Sequence, residues 1–349
     1  MESSLRIPIS LLVLFLLSGC ETLAYYLQAV GGQFDLMARA RPAAELIADP
    51  ATPQALRERL ETARAIREFA VRGLKLPDNA SYRNYADIGR PYAVWNVVAT
   101  PEFSLEPLQS CFPVAGCVSY RGFFAQHDAE RHAAGLRAEG HDVYVHGVPA
   151  YSTLGSFDDP LLSTFIRYAD AELARLIFHE LAHQLLYVKD DSTFNESFAV
   201  AIEREGVRRW LAATGRSAAL KDVFSAQEQN REFAGEIDQA RARLKQLYRQ
   251  PIAPELMRER KRALLAGLKA QLARQERFRD LAPNNAFLAS FATYTDLVST
   301  FEHLLQEEGG DLERFYARVK SLAQGGTGGL PPVPTSAPSN RGPLSAPNR

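Results

Sequence analysis

The chain has 349 residues, 46% of them hydrophobic, enough to bury a core as one large domain or two small ones. Its 40 basic and 41 acidic residues nearly cancel, which excludes a non-specific nucleic-acid binder, because that class carries a basic excess. Three cysteines exclude a disulfide scaffold for the whole fold, and 23% charged with 10% aromatic residues argue against a disordered chain.

At the N-terminus Arg6 precedes an apolar run from Ile7 to Leu17. The run is too short to span a bilayer comfortably and fits the h-region of a secretory signal. Leu17-Ser-Gly-Cys20 follows and resembles the bacterial lipobox. That resemblance implies cleavage before Cys20 and acylation of its sulfur and new amino group. The mature chain would then be a periplasm-facing lipoprotein of the cell envelope, and the Glu at position 21 points to the outer membrane. An ordinary signal peptide with a chance Cys is the plainer alternative. Cys111 and Cys117 remain as a pair around the turn-rich Phe112-Pro-Val-Ala-Gly116. Behind an export signal they are expected to close a small disulfide loop, with two buried free thiols as the alternative.

Apolar spacing of three and four predicts helices over 22–49 and 53–74, the second opened by a capping Thr52 and a Pro53 at the first position. Residues 77–85 read as loop. Tyr92-Ala-Val-Trp-Asn-Val-Val-Ala99 reads as a strand, and residues 117–124 as a second. A helix is expected over 125–140. Residues 142–152 form a third strand, placed at a sheet edge because Pro149 cannot donate to a ladder. From Asp170 the pattern is almost wholly helical. One helix capped by Asp170 runs to about Val188, and a second runs from about Thr193 to Ala213. Residues 225–248 and 254–279 are charged amphipathic stretches that predict an antiparallel hairpin. Two more helices are expected over 287–305 and 311–323. The Gly/Pro/Ser-rich tail from residue 325 is expected to be disordered.

His179-Glu180-Leu181-Ala182-His183 is an H-E-x-x-H pattern on a predicted helix. At about 100° per residue, the two imidazoles lie about 40° apart, one turn from each other, and can reach one ion. Glu180 flanks them at about 60° from His183, where it can contact a water beside the ion without ligating it. Buried on an apolar helix, two imidazoles and a carboxylate would be costly without a metal or partners. Two core histidines bonded to neighbours are the bland alternative. A catalytic zinc needs a third protein ligand and an open position. Position 189 is Lys and position 186 is Leu, which excludes the metzincin pattern. Asp190, Asp191 and Glu196 remain. A short turn between antiparallel helices would bring Glu196 back to the histidines, yet Thr193-x-x-Glu196 also reads as a capping box that would occupy it. Asp191 is the runner-up. Glu203, two turns further on, is placed to back the site or to sit at the surface.

H-E-x-x-H followed by Asn195-Glu-x-x-Ala199 resembles the gluzincin branch of the zincins, and in that resemblance Glu196 is the third zinc ligand. The wider chain is similar to a bacterial family of predicted aminopeptidases. The matching stretches include 112–122, Tyr151-Ser-Thr-Leu-Gly155, 157–164, Asn284-Asn285 and Ala292-Thr-Tyr294. No G-x-M-E-N segment precedes the zinc helix, and the interval from His183 to Glu196 is shorter than in the large gluzincin aminopeptidases. The resemblance implies one zinc ion, held by His179, His183 and Glu196, with Glu180 as general base and a peptide as substrate. It also implies a downstream donor to the oxyanion, Tyr294 first and His303 second. The edge strand near Gly147 and Tyr151 is placed to pair with an extended substrate.

The expected fold is α+β and mostly helical, a gluzincin-like zincin with a small sheet packed on the zinc helix and a long hairpin inserted around 225–279. Residues 1–19 are the cleaved signal, 20–324 a single domain and 325–349 a tail. A non-catalytic zinc-binding envelope factor, with the hairpin as its protein-partner surface, is the competing function. A zinc endopeptidase, or a chaperone-like protease, is the other.

Overall fold

The computed structural model describes residues 25–112, 116–150, 153–216, 218, 220–274, 276–292 and 297–324. The expected signal segment with Cys20, together with Tyr151, Tyr294 and the expected tail, lies outside the described residues. The chain is mostly helical with small sheets, an α+β protein.

Helix α1 covers residues 25–39. The expected helix over 22–49 stops there, because Pro42 cannot donate and restricts Arg41 to extended backbone. A two-residue strand β1 (Arg41–Pro42) and a short α2 (Ala43–Ala48) take its place. Helix α3 (Gln54–Leu74) starts one residue later than expected. Pro53, not Thr52, stands at the cap, and the helix start has no side-chain cap bond. The expected loop 77–85 ends in a strand, β2 (Asn84–Ala86), which joins β1 and β8 (Leu161–Leu162) in one sheet. Buried Arg67 organises that loop by donating to the carbonyls of Pro77, Asn79 and Ser81.

The sheet that matters for the site is β6-β3-β7. Its central strand β3 (Val94–Thr100) pairs antiparallel with β6 (Arg121–Phe123) and β7 (Asp142–Val148). The expected strand over 117–124 is split. Gly116–Val118 (β5) pairs instead with β4 (Ser110–Phe112), to which a disulfide joins it, Cys111 to Cys117. Strand β7 stops at Val148, before Pro149, and has a neighbour on one side only among the described residues. Strand alternation gives the sheet two faces. Val97, Ala99, Phe123 and Val143 pack on Ala129 and Ala133 of α4 (Gln126–Ala138). Val94, Asn96, Val98, Gly122 and His146 point the other way, into a cavity.

Helices α5 (Asp170–Leu185) and α6 (Ser192–Ala213) pack against each other and form the opposite wall. Asp170 is the first helical residue of α5 rather than its cap, and its carboxylate binds Arg59 and Arg216. Leu173, Ile177, Phe178 and Leu181 face the main core and are fully buried. Gly206 permits the close approach of α6, since a Cβ there would stand 2.6 Å from the Phe178 ring. The hairpin is α7 (Leu220–Tyr248) and α8 (Pro254–Leu272), the second helix shorter than expected. It has its own apolar cluster, which takes in Phe287 and Leu288 of α9 (Asn285–Ala292). Lys261, also on the hairpin, pairs with Asp142 of β7 at 2.7 Å. Of residues 287–305, expected as one helix, 287–292 lie in α9 and 298–305 in α10 (Val298–Glu307); α11 (Leu312–Gln324) follows.

Candidate metal centre

A cavity of about 490 Å³ lies between the β6-β3-β7 sheet and the α5–α6 pair. His179, Glu180 and His183 line it from α5, and Glu196 and Glu203 from α6. Val94, Val98, Val118, Phe112 and Phe124 make much of the remaining wall apolar.

The turn between the two helices decides what Glu196 can do. Asp191 caps α6, its carboxylate accepting from Phe194 N at 2.9 Å. That replaces the capping box expected at Thr193-x-x-Glu196, so Glu196 is not held by its own helix. It also occupies Asp191, the runner-up ligand. Asp190 accepts from Cys117 N and so ties the disulfide hairpin to this turn. Asn195 clasps the other side: Val188 N donates to its Oδ1 and its Nδ2 donates to Val188 O, both at 2.7 Å. This clasp bends the chain back after Leu185, three residues before the expected end of α5.

With the turn set, Glu196 faces the histidines. His179 Nε2 and His183 Nε2 are 3.2 Å apart, and the Glu196 oxygens lie 3.4 Å and 3.8 Å from them. Donor atoms around a tetrahedral ion with bonds of about 2.0–2.1 Å stand roughly 3.3 Å from one another. The three side chains therefore fit a metal ion and could hold one. Glu203 lies two turns after Glu196 on α6, and His179 Nδ1 donates to it at 2.9 Å, leaving Nε2 for the ion. Arg175 holds the same carboxylate at 3.2 Å. His183 Nδ1 is buried without a hydrogen-bond partner among the described residues.

The electrostatics are those of acids and bases crowded in a dry pocket. Burial pushes Glu180 up to about 7, against the pull of protonated His179. Burial pushes His183 down to about 4. Burial opposes the charge on His179 as well, but Glu196 and Glu203 outweigh it and raise that imidazole well above its usual range. Burial opposes the charge on half-buried Glu196 too, but the two imidazoles hold it below the usual carboxylate range.

A family model described as Aminopep, putative aminopeptidase, matches residues 24–327. The chain belongs to this family. No curated protein and no solved structure matches it. Membership in Aminopep is consistent with peptidase activity and with a peptide as substrate.

The expected site residues fall into three groups in this Aminopep chain. His179, Glu180, His183 and Glu196 meet at one end of the cavity. Gly147 lies on the edge strand, opposite Trp95, with the ring of Tyr92 where a Cβ would be. His303 is not at the site; it is half-exposed on α10 and pairs with Glu307 at 3.2 Å. Three cavity residues escaped the sequence analysis. Tyr120 follows the disulfide hairpin, and burial, with Glu196 and Tyr187 next, pushes its hydroxyl up. Asn96 and His146 are cross-strand partners on the sheet face opposite α5. His146 Nδ1 is buried without a hydrogen-bond partner among the described residues, and burial pushes the ring down to about 4, so it is neutral at pH 7. Each is a lone polar residue in an apolar strand, and that signal could have found both.

Proposed function

We propose that this chain is a zinc-dependent peptidase of the zincin kind, in which His179, His183 and Glu196 hold one zinc ion and Glu180 is the general base. The observation that carries the reading is the convergence of three donor atoms on one point, with Glu180 in the same cavity wall. When bound, the metal supplies a Lewis acid that lowers the pKa of water and polarises a carbonyl oxygen. Glu180, half-buried and with its pKa raised to about 7, takes the proton of the attacking water. The water oxygen bonds to the carbonyl carbon, the C–N bond breaks, and Glu180 passes the proton to the leaving nitrogen. Tyr294 is the proposed donor to the oxyanion. Strand β7, which has a neighbour on one side only among the described residues, offers backbone groups near Gly147 to an extended peptide, and Tyr151 is the proposed further substrate contact. The apolar wall favours substrates with apolar side chains next to the cleaved bond.

We further read residues 20–324 as one domain with the hairpin as an insertion, and the mature chain as a lipoprotein anchored at Cys20 in the cell envelope. The lipobox pattern supports that address.

The test is zinc per chain in the wild type, Glu196→Ala and Asp191→Ala, beside turnover of aminoacyl and internally quenched peptides. One zinc in wild type and Asp191→Ala, lost in Glu196→Ala, with peptide cleavage by the wild type, is the expected result. No zinc after zinc-replete expression overturns the reading. Full zinc without cleavage of any peptide leaves the non-catalytic envelope factor in its place.

A further inference from the structure

Helix α1 is fastened by one face and bare on the other. On the inner face, Phe124 N donates to Gln28 Oε1 at 3.1 Å. A Cβ on Gly32 would stand 2.1 Å from the Phe124 ring, Leu36 is 1% exposed, and Tyr25 and Ala29 line the cavity. On the outer face Leu27, Val30 and Phe34 are 64%, 51% and 64% exposed. Gly31 and Ala38 are exposed beside them. At about 100° per residue, Leu27, Gly31, Phe34 and Ala38 fall within about 60° of one another, with Val30 alongside. No charged residue occurs between Thr22 and Phe34. A neutral apolar stripe on a helix already docked by its other face marks a contact surface.

What covers the stripe follows from where the helix begins. Only residues 21–24 separate Cys20 from Tyr25, and five residue steps reach at most about 18 Å. If Cys20 carries acyl chains, as proposed above, α1 starts within that reach of the lipid. Among the described residues, no helix is long and apolar enough to cross a membrane. We propose that α1 lies along the bilayer surface, with Leu27, Val30 and Phe34 sunk into the headgroup–acyl boundary as a second membrane contact beside the lipid anchor. Apolar side chains without charge are what that boundary receives. The inference adds more than adhesion. The opposite face of α1 is a wall of the cavity, so the metal cluster's cleft would sit about one helix diameter, roughly 10–12 Å, from lipid.

The experiment uses the full chain, matured in a bacterial host, purified from its membranes and reconstituted into phosphatidylethanolamine–phosphatidylglycerol vesicles. With Cys111 and Cys117 joined and Cys20 acylated, a new cysteine is labelled alone. A bimane label is placed at Leu27→Cys, Val30→Cys or Phe34→Cys, and at Glu61→Cys on α3 as the water-facing reference. Nitroxide lipids should quench the three α1 labels several-fold more than the Glu61→Cys label, while iodide in the water should quench them less. All four labels open to iodide and untouched by nitroxide lipid would overturn the proposal. So would α1 labels shielded from both quenchers until the protein is diluted in the bilayer, which would assign the stripe to a second copy of the chain. The mass of the N-terminal peptide separates this from the anchoring proposal. An acylated chain with wet labels sinks the helix contact and keeps the anchor. Where the chain is found without acyl groups, Cys20→Ser keeps the label alone, and labels still quenched by nitroxide lipid then keep the contact and sink the anchor.

Discussion

Glu203 is bonded to His179 Nδ1 on one side and to Arg175 on the other, so it fixes which ring nitrogen faces the cavity. A carboxylate in that place raises ligand basicity as well as orienting the ring. Glu203→Ala should weaken metal binding about 10- to 100-fold. Competition against a chelator of known affinity reads this directly, and an unchanged affinity would reduce Glu203 to a structural partner of Arg175. Glu180 makes the opposite prediction. Glu180→Gln should bind the metal as tightly as wild type and lose turnover by about 10²- to 10⁴-fold. The sign of its pH effect also follows. A base with a raised pKa is inactive while protonated, so activity should rise with pH through an acid limb. That limb should lie at or below about 7, because a bound cation would favour the carboxylate over the metal-free value. A variant with full activity, or an acid limb retained in Glu180→Gln, would remove it from the mechanism.

At the scale of elements, the turn between α5 and α6 carries the site, and Asn195 carries the turn. Its two bonds to Val188 satisfy both groups of a half-buried peptide residue. Asn195→Ala strips both, at about 1–3 kcal/mol for each group left without a partner. Unfolding in denaturant should show that loss, and metal affinity should fall with it because Glu196 is the next residue. A stability loss with metal affinity intact would mean that α6 alone positions Glu196. This turn also shows where the sequence was legible. The H-E-x-x-H histidines share a face by helical geometry alone, a local rule that tertiary packing rarely overrides. The third donor is different. Asp191 and Thr193 are both capping residues two positions apart, and only the packing of α6 on α5 decides which one caps. Choosing Asp191 is what frees Glu196. The same limit explains the strand that split at Ser119-Tyr120. Nothing in Cys117-Val-Ser-Tyr-Arg-Gly-Phe-Phe124 says that its first half pairs with β4 and its second with β3. Tyr120 reaches the cavity through that non-local pairing, and Asn96 and His146 through the equally non-local pairing of β3 with β7.

Across the whole molecule, one buried acid links the site to distant parts of the main core. Asp159 is 4% exposed, and Thr153 N at 3.0 Å and Gln184 Nε2 at 3.2 Å donate to its Oδ2. Gln184, the residue after His183, accepts from Asn79 at 2.7 Å, and Asn79 O accepts from Arg67 of α3 at 3.0 Å. The chain of bonds thus runs from α3 through the 77–82 loop to α5 and on to the 153–159 loop. Burial pushes Asp159 up to about 6 from an ordinary value of 3.8, although its two donors pull the other way. A folded-state pKa above the unfolded one means that the native state binds the extra proton between those values. Stability then falls as pH rises from about 4 to about 6 and is level beyond, by about 3 kcal/mol for this group alone. Asp159→Asn keeps an oxygen to accept from Thr153 and Gln184 but has no proton to lose. Metal-free wild type and variant, unfolded in urea at half-unit steps from pH 4 to pH 8, should therefore diverge. The variant should gain on wild type by about that amount between pH 4 and pH 6.5, then run parallel to it. Curves that stay parallel throughout would show that Asp159 titrates normally in the native state, and that its place between α5 and the 153–159 loop is reached by water.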